Sequence, residues 1–220
     1  MLEKGHPVVF TLSGKAHSGK DTCGEMIKTY LESTGYNVLW INYADFLKVI
    51  CARNFNYDDN NKEAGRKTLQ TFGTEVVRGK EELFWVHTVY HTFDVLRHEY
   101  DAFIVSDARF DNELKPFPYY LTYPIINIFV NRDVNGELGE FEAAHVSEKM
   151  ANEPDLKKYS FVVDNNGTFD ETNDQIIQLV DMSIDKAHKL LSYQRFGTIF
   201  TEETAWEKVL EEDKVDEQVS

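Results

Sequence analysis

Val8-Val9-Phe10-Thr11-Leu12, running into Ser13-Gly14-Lys15-Ala16-His17-Ser18-Gly19-Lys20-Asp21-Thr22, is the stretch that decides the fold. The first five residues form a short, mostly apolar run that ends at Ser13-Gly14, the pattern of a buried strand. Over residues 19–33, Cys23, Met26, Ile27, Tyr30 and Leu31 recur at spacings of three and four, the pattern of a helix with one buried face. Glycines between the two let the backbone curl until successive amides converge on one point. The helix N-terminus behind them adds its dipole. Strand, glycine loop, lysine and helix in this order make a phosphate-binding loop. Lys20 is placed to reach β- and γ-phosphates, and Thr22 to meet an α-phosphate. The position after the lysine usually holds Ser or Thr; here it is Asp21, a hard oxygen ligand suited to Mg²⁺ directly or through water. Gly14, Lys15, Ser18 and Gly19 complete the candidate donor site, with Lys15 equally open to phosphate contact and to bulk charge. His17 reads as a solvated loop side chain.

Outward from this loop, Ser33-Thr34-Gly35 stops the helix and Val38–Tyr43 reads as a second strand. A strand–helix–strand unit implies a parallel sheet in an α/β fold. The middle of the chain reads as helical. Leu47, Ile50, Cys51 and Phe55 share one face; Leu69, Phe72 and Val76 mark another helix, and Leu83, Val86, Tyr90 and Phe93 a third. Further strands are expected at Phe103–Ser106, Ile125–Val130 and Phe161–Val163. Residues 131–159 are charged and aperiodic, an excursion of the kind that is often mobile and functional. Thr168 and Glu171 fit a capping box opening a long final helix, whose core face carries Ile176, Ile177, Val180, Ile184, Ala187 and Leu191.

With 220 residues, 42% hydrophobic and 28% charged, the chain fits a single globular domain over 1–200 followed by a tail. The balance of 23 basic and 38 acidic residues gives −15; the eight acids and two bases of residues 201–220 account for −6 of it. Such a chain repels phosphate polymers, so nucleic-acid binding is not expected. A small anion held by local amides and bases remains compatible with that field. No apolar run is long enough to span a membrane, and the first residues lack the pattern of a secretory signal. Cys23 and Cys51 have neither a disulfide framework nor metal-ligand spacing, which points to a reducing cytoplasm, a host's if the chain is viral. The sequence leaves a homodimer open.

A second constellation is Phe103-Ile104-Val105-Ser106-Asp107, an apolar strand ending in aspartate and followed by Arg109, Asn112 and Glu113. Beside a phosphate loop, an acid at that strand end supports the Mg²⁺ shell. Arg109 suits a bidentate clamp on phosphate; Glu113 suits a sugar hydroxyl or base amine, although a polar turn explains both. Arg66, Lys67 and Arg78 flank one helix, with a solvated charge face as the plain alternative for Lys67. Trp85 lies one position off its helix's apolar face, so a core tryptophan and a base-stacking platform are both open. His87, His91, His98 and His188 have no metal-ligand company.

The runs GKAHSGKDT, YADFLKVICARNF, RKTLQTFGTEVVR, FWV, IVSDARFDNE, HVSEK and FVVDNNGT follow one another in this order. Over roughly residues 8–180 the chain thereby resembles phage-type deoxynucleoside monophosphate kinases. The resemblance implies a P-loop NTPase fold, a five-stranded parallel sheet flanked by helices, with a helical acceptor-binding part at about 44–100 and a lid at about 131–159. It implies ATP on Gly14–Thr22, with Asn165, Asn166 and Gly167, which follow the last strand, near adenine, and Mg²⁺ at Asp21 and Asp107. For the acceptor dNMP it implies Asp45, Lys48, Arg66, Lys67, Gly73, Thr74, Arg78, Trp85, Asp107, Arg109 and Glu113. The catalytic charge would come from Lys20, Arg78, Arg109 and Arg132, while His145, Ser147 and Glu148 fall in the lid. The reaction it implies is γ-phosphoryl transfer from ATP to a dNMP, needing position and charge neutralisation but no general base, because the acceptor phosphate is already ionised.

Two alternatives stand beside it. The chain also looks like phosphomevalonate kinases, which share the GKxxSGKD loop, the SD-x-R strand end and the SE pair. FGTE, RFDNE and a stacking Trp85 would favour the nucleotide. A non-catalytic ATP-binding module is the other alternative, kept open by Asp21 and opposed by the second basic cluster.

Overall fold

Alternation along β1 (Val8–Ser13) shows that both faces of the sheet are covered: Val8, Phe10 and Leu12 enter one apolar core and Val9 enters another. Strands buried on both faces are characteristic of parallel sheets sandwiched between helices. The computed structural model describes residues 5–58, 62–117, 119, 123–133 and 153–195. In it β1 leads through α1 (Lys20–Ser33) to β2 (Val38–Trp40). The chain continues through α2 (Tyr43–Asn54), α3 (Lys62–Leu69), a π-helical segment Gln70–Arg78 and α4 (Phe84–Leu96) to β3 (Ala102–Val105). Then come the short α5 (Asp111–Leu114), β4 (Ile125–Asn131), a 3₁₀ turn at Leu156–Lys158, β5 (Phe161–Asp164) and α6 (Phe169–Arg195).

The five strands form one sheet in the order β2-β3-β1-β4-β5, every pair parallel. This is the five-stranded parallel sheet with flanking helices expected from the sequence, an α/β P-loop NTPase fold. On one face α1 and α6 pack together over Phe10, Leu12, Ile104, Ile126 and Ile128. On the other, α2 and α4 cover Val9, Phe103 and Val105, with Phe93 stacked on Phe103 at 4.0 Å. From β1 the chain moves outward to β2, returns to β3, and then crosses to β4 on the opposite side of β1. The crevice at the carboxyl end of β1 is therefore the natural ligand position.

Several boundaries differ from the sequence reading. Val38–Tyr43 is not all strand. Tyr43 already opens α2, because Asp107 accepts hydrogen bonds from the Tyr43 and Ala44 amides (2.9 Å each) and Asp45 accepts from the Asn42 amide at 2.9 Å. The helix expected around Leu69, Phe72 and Val76 is present, but its second half winds as a π-helix. The capping box of α6 forms as expected: the Thr168 amide donates to Glu171 at 2.7 Å and the Glu171 amide to the Thr168 hydroxyl at 3.3 Å. Among the described residues, no helix is long and apolar enough to cross a membrane. Most of the expected lid, including His145, Ser147 and Glu148, and the whole acidic tail lie outside the described residues.

Candidate active site

The loop between β1 and α1 is shaped by close approaches that only glycine permits. Gly14 lies against the Val130 carbonyl of β4, where any Cβ would collide with it. Gly19 has φ +92°, a left-handed conformation, and sits directly against the Asn165 side chain. His17 also takes a positive φ, 62°, and is exposed at the mouth of the cleft. Lys20 curls back over the loop, its Nζ donating to the Gly14 carbonyl at 2.9 Å and the Lys15 carbonyl at 2.7 Å. A lysine held over the loop that it serves is already positioned for an incoming polyphosphate.

Asp21 stands in the first turn of α1, where its negative charge suits the helix dipole. Its carboxylate accepts from the Ser106 hydroxyl at 2.6 Å. Ser106 follows β3, and its amide donates to the Asn42 side-chain oxygen at 2.8 Å, which also accepts from the Trp40 indole at 3.1 Å. These contacts tie the ends of β2 and β3 to the start of α1. Asp21, Thr22, Ser106 and Asp107 all line the cleft. Hard oxygen donors beside a phosphate loop fit Mg²⁺, which keeps most of its waters and takes further ligands from the phosphates. Among the described residues, no group of three or more His, Cys, Asp or Glu is placed to bind a metal ion by itself.

Asp107 is engaged differently from Asp21. Each of its oxygens accepts one amide of α2, so it anchors that helix at the cleft edge. Burial pushes its carboxyl above the usual range, and those two amides pull it back. Glu113 is more deeply held, 2% exposed. One oxygen pairs with the Arg78 guanidinium. The other accepts from the Arg109 amide at 2.6 Å and the Phe110 amide at 3.1 Å. Burial pushes the Glu113 carboxyl up to about 7 against the pull of Arg78 and both amides. Arg78 lies over the Phe110 ring at 4.1 Å and also reaches Asn112 at 3.4 Å. The arginine is therefore pre-oriented at the floor of the cleft instead of sweeping through solvent.

The wall opposite the loop comes from α2, α3, the π-helical segment and α4. Trp85 is buried, and its indole donates to the Gly73 carbonyl at 3.1 Å. A Cβ at Gly73 would come within 2.5 Å of the Leu47 side chain, so the two positions pack closely there. The wide π turn, a feature frequent at functional sites, brings Gln70, Gly73 and Thr74 to one surface with Leu47, Tyr57, Leu69 and Phe110. The resulting cleft of about 1060 Å³ runs from Ala16–Thr22 to Arg78 and Glu113.

Of the residues singled out from sequence, this cleft gathers Gly19, Lys20, Asp21, Thr22, Lys48, Gly73, Thr74, Arg78, Trp85, Asp107, Arg109, Glu113 and Arg132. Others stand elsewhere. Asp45 caps α2. Lys67 is exposed outside the cleft lining. Asn166 and Gly167 form the turn after β5, with Asn166 accepting from the Asp133 amide at 2.8 Å and donating to Asp164 at 2.6 Å. Gly14, Lys15 and Ser18 belong to the loop behind the lining residues. The side chain of Arg66 is outside the described residues. The geometry also shows what sequence reasoning missed. Glu113 and Trp85 have their polar atoms committed within the protein and shape the site from behind. Asn42 and Ser106 link the strand ends, and Tyr57, Gln70 and Phe110 complete the wall. Asn42 carried a findable signal, a helix N-cap residue before Tyr43; Tyr57 and Gln70 carried none, because only tertiary packing brings them to the cleft.

A family model described as phosphomevalonate kinase matches residues 12–122, half of the chain, from the end of β1 through α2, α3, the π-helical segment, α4 and α5. No curated protein matches. Similar solved structures include the protein APE1195, at 13% identity and TM-score 0.48 over 83% of this chain and 97% of that one. They also include the Mycobacterium tuberculosis APS kinase CysC in complex with AMPPNP and APS, at 13% and 0.46 over 80% and 98%. Dephospho-CoA kinase from Campylobacter jejuni follows at 16% and 0.43 over 80% and 96%. Those distant likenesses add nothing to the strand order described above. By the family match, and with a phosphate loop, Lys20 and an arginine-floored cleft in place, the chain belongs to the phosphomevalonate kinase family and is a P-loop phosphotransferase.

Proposed function

We propose that the chain transfers the γ-phosphoryl group of ATP to a deoxynucleoside monophosphate. The observation that carries this reading is the wall facing the phosphate loop. Leu47, Tyr57, Leu69 and Phe110 offer a mostly apolar surface, with Gln70 and Thr74 offering hydrogen-bonding groups beside it; Trp85, buried behind that surface, holds the Gly73 carbonyl. A planar base fits such a wall by stacking and edge recognition. A short aliphatic phosphate can pack its carbons against such a wall but has no planar group to stack on it.

In this reading Lys20 and the loop amides hold the donor β- and γ-phosphates, and Asn42, Ser106 and Asp21 keep that end of the cleft rigid. Arg78, fixed by Glu113, and Arg109 receive the acceptor phosphate, and Arg132 approaches from the end of β4. The bond between the β,γ-bridging oxygen and the γ-phosphorus breaks as an acceptor phosphate oxygen bonds to that phosphorus. ADP keeps the bridging oxygen and its electrons, and no protein group has to move a proton. Asp21 would hold Mg²⁺ directly or through water, and the ion when bound would add neutralisation of the donor phosphate charge. Phosphomevalonate as acceptor is a second reading, favoured by the family match over residues 12–122.

Initial rates of ADP release with ATP and Mg²⁺ against dNMPs, NMPs and phosphomevalonate test the proposal. Turnover with at least one dNMP, at a kcat/KM well above that for phosphomevalonate, is the expected result. Turnover confined to phosphomevalonate would overturn it.

A further inference from the structure

Asn165 lies just beyond β5, remote in sequence from the phosphate loop, yet its side chain reaches into the back of that loop. Its Nδ2 donates to the Ser18 carbonyl at 2.7 Å. Its Oδ1 accepts from the Thr172 hydroxyl at 3.0 Å, and Thr172 is fully buried in the first turns of α6. The Asn165 amide donates to the Asn131 carbonyl at 2.8 Å, so its backbone is pinned as well. The orientation of the side-chain amide follows from its partners: a carbonyl can only accept, so the NH₂ must face Ser18, and the oxygen then meets the hydroxyl.

The Ser18 carbonyl and the Gly19 N–H belong to one trans peptide plane and point in opposite directions. A donor that holds the carbonyl at the back of the loop thereby fixes the direction of the Gly19 N–H at the front. Gly19 must also lack a side chain, because a Cβ would fall on the Asn165 Nδ2. The glycine that the loop motif requires and the asparagine that braces it fit as a pair.

We propose that Asn165, held by Thr172, is a positioning residue for the donor phosphates: it sets the peptide plane of the phosphate loop and couples loop geometry to the start of α6. This rests on the donor half of the reading above and not on the identity of the acceptor. The experiment is calorimetric titration of the full chain, wild type, Asn165→Ala and Thr172→Val, with AMPPNP and separately with tripolyphosphate, both with Mg²⁺, alongside each variant's melting temperature. Loss of one hydrogen bond predicts a Kd about tenfold higher for Asn165→Ala, by the same factor for both ligands. Thr172→Val, which leaves the asparagine in place but frees its orientation, is expected to show a smaller rise in the same direction. Both titrations are read well below each variant's melting temperature, where a merely structural role would leave Kd unchanged. AMPPNP weakened with tripolyphosphate unaffected would place Asn165 against the adenosine and overturn the proposal. Unchanged affinity for both ligands in folded Asn165→Ala would overturn it too; if that variant does not fold, unchanged affinity in Thr172→Val does so. No acceptor enters these titrations, so their failure is distinguishable from failure of the dNMP reading.

Discussion

The two ends of the cleft are built on opposite plans. At the donor end a single nine-residue run, Gly14–Thr22, supplies nearly everything. It offers backbone amides and the Lys20 side chain, and two contacts brace it, the Ser106 hydroxyl on the Asp21 carboxylate and the Asn165 side chain on the Ser18 carbonyl. At the acceptor end no run suffices. Leu47, Gln70, Gly73, Arg78, Trp85, Phe110 and Glu113 arrive from four helical segments and a turn, and side chains make the surface. Backbone recognition suits a ligand part shared by many enzymes, the polyphosphate. Side-chain recognition suits the part in which related enzymes differ. In the proposed reading, chemistry belongs to one end of the cleft and specificity to the other.

The largest expected effect breaks the donor end. Lys20→Ala should lower kcat/KM by about 10³-fold with every acceptor that works, since it removes charge stabilisation common to all of them. Steady-state kinetics at saturating acceptor checks this. Next comes the floor of the acceptor end. Arg78→Ala leaves Glu113 buried without its guanidinium and should destabilise the fold by about 3 kcal/mol, read by urea unfolding. In the folded fraction the acceptor KM should rise far more than the ATP KM.

A subtler substitution sharpens the contrast. Gly73→Ala puts a methyl group against Leu47 and disturbs the carbonyl that anchors Trp85. It should raise the acceptor KM about tenfold while AMPPNP affinity stays within twofold of wild type, because small displacements of a binding wall are costly where they occur and local in reach. Equal loss at both ends would mean that the two halves are not separable.

The smallest expected effect is a pH dependence set by Glu113. Burial raises its carboxyl from 4.5 to about 7 in the folded chain. The folded state therefore keeps a proton that the unfolded state has lost across that interval. The stability contributed is full below about 4.5 and is lost as pH rises towards about 7. Glu113→Gln, neutral throughout, should lack this decline, a difference on the order of 1 kcal/mol once coupling to Arg78 is allowed for. Urea unfolding at pH 5 and pH 7.5 for both proteins measures it.

The same contrast explains what could be read from sequence. The donor end was legible because its information is contiguous: strand, glycines, lysine and helix occupy residues 8–33, and each leaves a local signature. The strand ending in Ser106-Asp107 was legible for the same reason. The roles of the acids around it were not. Asp107 and Glu113 read as candidate ligands for metal or sugar, and the fold shows their oxygens taken up by amides of α2, by Arg78 and by amides of the Arg109–Phe110 turn. Whether a carboxylate faces substrate or braces the backbone depends on tertiary neighbours that spacing does not encode. Trp85 shows this again, since its burial against Gly73 comes from the π-helical segment, and nothing in the apolar periodicity signals that wider turn. Asn165 was legible as a residue after the last strand but not as the partner of Ser18, 147 positions away.

The most direct test of a single cleft with a nucleotide donor end and a nucleotide acceptor end is inhibition by a bisubstrate analogue. The analogue would join adenosine through a polyphosphate to the deoxynucleoside whose monophosphate turns over best. The expected result is inhibition competitive against both ATP and that dNMP, with affinity well beyond that of either alone. Competition against ATP only, with no gain over adenosine polyphosphate lacking the deoxynucleoside, would contradict a nucleoside-binding acceptor end.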